Sequence, residues 1–136
     1  MTKPIPSIQK YMSTSPLTIG QEQTIVKAKE IMAQNSIRHL PVLEDGKIIG
    51  ILSDRDVHLI TYISGLEPSQ LKVKDAMSLD PYTVSPDASL DEVAQEMFRN
   101  KYGSAVVMQN EKVVGIFTAI DGLNALAELL HTRLAK

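Results

Sequence analysis

Two spacings of apolar residues alternate along the chain, and the alternation runs through twice. Ile25, Ala28, Ile31 and Met32 recur at three- and four-residue steps, as do Leu90, Val93, Ala94 and Met97. That period predicts one amphipathic helix in each half. A short extended stretch precedes each, Leu17-Thr18-Ile19 and Tyr82-Thr83-Val84. Ser89 and Glu92 stand three residues apart at the start of the second helix, which predicts a capping box there. Downstream, Leu40-Pro41-Val42-Leu43 and Ile48-Ile49-Gly50-Ile51-Leu52 flank Glu44-Asp45-Gly46-Lys47. Two apolar runs around Asp-Gly predict a β-hairpin with a tight turn. Its counterpart is Ala105-Val106-Val107-Met108, a turn at Gln109-Asn110-Glu111, and Val113-Val114-Gly115-Ile116-Phe117. These strands are apolar at successive positions, so both of their faces should be covered. A further helix follows each hairpin, and Ser64-Gly65-Leu66-Glu67-Pro68-Ser69 reads as a connector.

The two halves are copies of one unit. Shifted by about 65 residues, Met12-Ser13 recurs as Met77-Ser78, Thr18 as Thr83, Met32 as Met97, Val42 as Val107, Gly50-Ile51 as Gly115-Ile116 and Asp56 as Asp121. The register holds through every element without an insertion. The expected fold is α/β (α+β): two β-α-β-β-α repeats, residues 8–64 and 73–134, within a single module spanning 1–136. One copy is too small to cover both faces of its sheet, so the repeats should pack through their sheets about a pseudo-twofold axis.

Composition narrows the function. With 136 residues the chain suits one domain that can bury a full core. There is no cysteine, which removes disulfides, thiolate metal sites and a cysteine nucleophile, and fits a reducing, cytoplasmic location. A net charge of −2 gives no electrostatic case for nucleic acid as the main partner. Apolar runs are far short of a membrane span, and the first six residues lack the apolar core of a signal peptide. His39, His58 and His131 are far apart, with no metalloprotease spacing, and no phosphate-loop or Gly-x-Gly-x-x-Gly motif occurs. Asp54 and Asp56 lie close enough to pair, but nothing activates them as acid and base, so the chain is not expected to be an enzyme, to require a cofactor or to hold a catalytic metal.

Ile37-Arg38-His39-Leu40-Pro41-Val42 and Gly50-Ile51-Leu52-Ser53-Asp54-Arg55-Asp56, set in this doubled architecture, resemble a tandem pair of cystathionine-β-synthase (CBS) domains, a Bateman module. The resemblance covers nearly the whole chain and is nearest to the small stand-alone members. It implies paired sheets, two clefts, and an adenosine-type regulatory ligand such as AMP, ADP or ATP, with S-adenosylmethionine as an alternative. It also implies a conformational change signalled to a separate effector protein. A ligand-free, dimeric interaction module is the competing expectation.

The resemblance assigns ribose contacts to Asp56 and Asp121, and phosphate or ribose contacts to Ser53 and Thr118. The chemistry agrees, because a carboxylate accepts from a sugar diol and a hydroxyl donates to a phosphate oxygen. Ser-x-x-Asp and Thr-x-x-Asp at a helix start are equally capping boxes, and the two roles are compatible. Arg38 and His39 are expected to face phosphates, whereas the second copy has Gly103-Ser104 and no charge there. Thr18, Ile19, Thr83, Val84, Ile37 and Pro41 are expected around the base, with strand propensity and core packing as the plainer account. Gly50 and Gly115 would let a ligand or a neighbouring backbone come close. In the last helix Leu123, Leu126, Leu130 and Leu134 form a stripe that is either core or the seam of a homodimer, and Leu59, Ile60 and Ile63 form its equivalent, flanked by Tyr62.

Overall fold

The computed structural model describes residues 4–134. It is mixed α/β. Among the described residues there are five α-helices and two four-stranded sheets. The chain divides into two compact units: a central one, Pro16–Pro81, and a terminal one that gathers residues 4–15 with 82–134.

In the central unit β2 (Ile19–Gly20) leads into α1 (Ile25–Asn35), the hairpin β3 (His39–Glu44) and β4 (Lys47–Ser53), and α2 (Asp54–Ser64). A short helix α3 (Val73–Ala76) and β5 (Ser78–Leu79) complete it. The sheet order is β2-β3-β4-β5, with β2 parallel to β3 and the remaining pairs antiparallel. The hairpin turn has positive φ at Asp45 (51°) and Gly46 (78°), the backbone that matches the twist of two antiparallel strands. Ile25, Ala28 and Met32 of α1 are buried and pack with Leu40, Val42, Leu52 and Val57.

The terminal unit repeats this plan. After β1 (Ser13–Thr14) the chain leaves, then returns as β6 (Thr83–Val84), α4 (Leu90–Asn100), β7 (Ser104–Gln109), β8 (Lys112–Thr118) and α5 (Ala119–Arg133). The sheet order is β1-β8-β7-β6. Its hairpin turn is tighter than expected, with positive φ at Asn110 and Glu111 and Gln109 still in the strand. Leu90, Val93 and Met97 of α4 meet Ala105, Val107 and Phe117 in the core. In both hairpins successive residues are buried: Leu40, Pro41 and Val42 in one, Ala105, Val106 and Val107 in the other. Side chains alternate across a strand, so both faces of each hairpin are indeed covered.

Each unit joins the hairpin of one copy to the leading segment of the other. Ser78 and Leu79 pair with Ile51 and Gly50, and Ser13 and Thr14 pair with Ile116 and Gly115, the same register in both units. The glycines make these pairings possible. A Cβ on Gly50 would lie 2.8 Å from the Ser78 carbonyl oxygen and 3.0 Å from Met77 Sδ. A Cβ on Gly115 would lie 2.5 Å from Met12 Sδ and 3.0 Å from the Ser13 carbonyl oxygen. The close approach is therefore made by protein backbone and methionine. The connector of the central unit is also held by Lys72 Nζ and Lys74 Nζ, which donate to Glu22 Oε1 and Oε2 at 2.9 and 3.0 Å. Those two hydrogen bonds hold the exposed Glu22 carboxyl below its ordinary pKa.

One sequence expectation needs correction, and one of two open readings falls away. Ser89 makes no side-chain cap on α4; its hydroxyl donates to Asp91 Oδ1 instead. The leucine stripe of α5 is not core. Leu123, Leu126, Leu130 and Leu134 are 45–72% exposed, and Ala125 with Leu129 form the packed face.

Gly50→Ala is expected to lower unfolding stability by about 1–3 kcal/mol, the cost of forcing a methyl into filled space. Urea denaturation checks this, and a variant as stable as the parent would contradict the close packing of β5.

Candidate functional site

The strand-to-helix turns are built alike in both units. In the central unit the N–H of Ser53 donates to Asp56 Oδ2 at 3.0 Å, and the N–H of Asp56 donates to Ser53 Oγ at 3.0 Å. In the terminal unit the N–H of Thr118 donates to Asp121 Oδ2 at 2.9 Å, and the N–H of Asp121 donates to Thr118 Oγ1 at 3.4 Å. These reciprocal pairs satisfy amide donors that a helix start leaves open. Each cap uses one carboxylate oxygen, Oδ2, and leaves Oδ1 outside it. All four residues are half-buried.

The hairpin entry is tied to the same corner. The N–H of Asp54 donates to the Arg38 carbonyl at 2.8 Å, and His39 pairs with Ser53 across β3 and β4. Likewise the N–H of Ala119 donates to the Gly103 carbonyl at 3.1 Å, and Ser104 pairs with Thr118. Arg38 is exposed and His39 half-buried. The parallel register sets Ile19 beside Val42, so Thr18 lies level with Pro41, two residues along β3 from His39. Thr18 and Ile37 are half-buried, Pro41 is buried, and Ile19 belongs to the core cluster under α1. In the terminal unit Thr83 is exposed and Val84 packs against the core. The predicted residues thus gather, copy by copy, at one end of each sheet.

Sequence reasoning passed over several neighbours. An open cavity of about 420 Å³ in the central unit is lined by Lys29, Ser36, Ile37, Arg38 and Asp54, with Met32 and Ala33. It combines two cations, one carboxylate and apolar surface. Lys29 sits one helical turn before Met32, so its position relative to that core residue was the available signal. In the terminal unit Tyr82 and Tyr102 stack, ring centroids 5.3 Å apart and planes 27° apart. Burial pushes the Tyr82 hydroxyl above its ordinary pKa, with Glu96 adding to the shift. They lie twenty residues apart in sequence, and only their matching positions in the repeat, at Leu17 and Ile37, hint at a contact. Among the described residues no group of three or more histidines or carboxylates could hold a metal, and no helix is long and apolar enough to cross a membrane.

A doubled β-α-β-β-α plan with a Ser/Thr-x-x-Asp turn in each copy defines a class of tandem-repeat modules. The CBS domain model matches residues 1–59 and 73–128, and the chain belongs to that family. It is 31% identical over 110 residues to the CBS domain-containing protein YhcV of Bacillus subtilis, covering 81% of this chain and 78% of that one. It is 30% identical over 122 residues to an inosine-5′-monophosphate dehydrogenase of Korarchaeum cryptofilum, but spans only 24% of that enzyme's length. Two solved structures share the fold. The CBS domain pair of protein MJ0100, in complex with 5′-methylthioadenosine and S-adenosyl-L-methionine, superposes with a TM-score of 0.84 at 24% identity, covering 92% of this chain and 98% of that one. CBSX2 in complex with AMP superposes with a TM-score of 0.74 at 21% identity, covering 91% and 98%.

Ser53→Ala is expected to cost about 1 kcal/mol of stability by removing the helix cap. Thermal melts measure it, and an unchanged midpoint would mean that the Ser53–Asp56 pair does not cap α2.

Proposed function

We infer that the protein is a regulatory module that binds an adenosyl ligand of the AMP, ADP or ATP type and passes its state to a partner protein. The observation that carries this is the divided use of the aspartate: Oδ2 caps the helix while Oδ1 stays available to a ribose diol. Ser53, Arg38 and His39 stand at the same corner for phosphate oxygens, and Thr18, Ile37 and Pro41 for the base. Support also comes from two CBS pairs of the same fold whose complexes hold AMP, or 5′-methylthioadenosine with S-adenosylmethionine. The role is regulatory and not catalytic, in the cytoplasm, where such ligands are abundant. A ligand shifts the shape of a protein only by its unequal affinity for two conformations, so the bound and empty states must differ at the surface the partner reads.

The leucine stripe of α5 serves a different contact: large apolar side chains in a row, exposed on the helix face away from the core, suit a twofold homodimer in which the stripe meets itself. A second reading, a dimeric scaffold with no ligand, draws on the same stripe and on the fact that both aspartates already cap helices.

A thermal-shift panel of AMP, ADP, ATP and S-adenosylmethionine separates the two. A ligand at about 100 times its Kd should add roughly 2.7 kcal/mol. A melting point that no member of the panel moves would favour the scaffold. For the dimer, sedimentation should give twice the 15.0 kDa chain mass, and Leu126→Glu with Leu130→Glu should give a monomer. A parent that sediments as a monomer would contradict the seam.

A further inference from the structure

The two copies share a plan, yet they differ at eight matched positions around the corner described above. Most of the differences remove from the terminal unit, or bond within it, a group that the central unit presents. Arg38 matches Gly103, so the guanidinium has no counterpart. The Ser53 hydroxyl only accepts within its cap, from the Asp56 amide at 3.0 Å, whereas the Thr118 hydroxyl also donates to Asp121 Oδ2 at 3.1 Å and so spends its proton there. Pro41 has no N–H to give the Leu17 carbonyl, whereas the matched Val106 donates to the Tyr82 carbonyl at 2.9 Å. Leu17 and Ile37 match Tyr82 and Tyr102, whose rings lie against each other. The cavity of the central unit carries Lys29 and Asp54, where the terminal copy has Ala94 and Ala119. One change runs the other way: Lys101 replaces Ser36, at the exposed C-cap of α4.

We propose that the chain binds a single phosphorylated adenine nucleotide, in the central unit, and that the Tyr82–Tyr102 stack fills the base position of the terminal unit. This rests on the adenosyl-ligand function inferred above and assigns it to one of the two copies. The central copy supplies what a nucleoside phosphate needs: an arginine fork for phosphate, a hydroxyl with its proton uncommitted to the cap, a free carboxylate oxygen for ribose, and a backbone carbonyl without the strand partner its counterpart has. The terminal copy keeps the matching Asp121 Oδ1 but has answered the other needs from within or lost the group. Its threonine is bonded to its aspartate, its carbonyl to a valine amide, and its aromatic surface to itself. Tyr102 is therefore a plug and not a stacking platform.

Isothermal titration with AMP tests the assignment. The intact chain is expected to bind one AMP per chain. Arg38→Ala should weaken it by about tenfold or more, in line with the loss of a charge-assisted hydrogen bond. Arg38 is exposed, so the variant should fold, and Arg38→Lys, which keeps the charge without the fork, should fall between. Tyr102→Ala should leave the affinity of that site unchanged. Two equivalent AMP sites per chain, unchanged affinity in Arg38→Ala, or weakened binding in Tyr102→Ala would each overturn the single-site assignment while leaving the adenosyl function standing. No AMP binding to the intact chain would overturn the assignment together with the AMP form of that function, and the thermal-shift panel shows whether another adenosyl ligand replaces it.

Discussion

A helix that starts directly after a strand must find acceptors for its first amides, and here a reciprocal pair of side chains and one backbone carbonyl from the hairpin entry supply them. The reciprocal bonds between Ser53 and Asp56, and between Thr118 and Asp121, fix where α2 and α5 begin. They also fix where the carboxylates stand relative to the hairpin, because the same turns are tied back to Arg38 and Gly103 through backbone bonds. A carboxylate has two oxygens, and the cap needs one. The structural duty thereby holds the second oxygen, the one proposed to meet a ribose diol, in place.

Duplication gave the chain two such corners, and their differences are chemical more than geometric. Strand pairing and turn backbone are nearly the same in the two units, down to the register of β1 on β8 and β5 on β4. What changes is which polar groups the protein satisfies by itself. A proline in place of a valine removes one donor from β3 of the central unit. A threonine in place of a serine, bonded differently, absorbs one hydroxyl in the terminal unit. Substitutions of this kind leave the scaffold standing, since both cores stay apolar and a smaller residue at one place, Ala105 for Leu40, is accompanied by a larger one at another, Phe117 for Leu52.

Much of this was legible in the residues. The helix period of Ile25, Ala28 and Met32, the Asp-Gly turn and the repeat itself follow from local chemistry, and they stand as read. The family was legible too, because its motifs occupy strand-to-helix turns that constrain residue type. Other features depend on which of several equivalent contacts wins. Ser89 had two acidic neighbours within reach, and spacing does not say that Asp91 would take its hydroxyl. The leading segments had two glycine-bearing edges to choose between, and nothing in Met12-Ser13 or Met77-Ser78 encodes the exchange. The α5 stripe had an apolar rival in Ala125 and Leu129, and helical spacing alone does not rank the two faces. Tyr82 and Tyr102 read as isolated aromatics until the fold brought their rings together.

Backbone amide chemical shifts followed during a titration with AMP test the central claim most directly. The account predicts that Arg38, His39, Ser53 and Asp56 move together and saturate with one equivalent of AMP. Shifts confined to the Thr118–Asp121 turn, or no saturable shift at either turn, would contradict it.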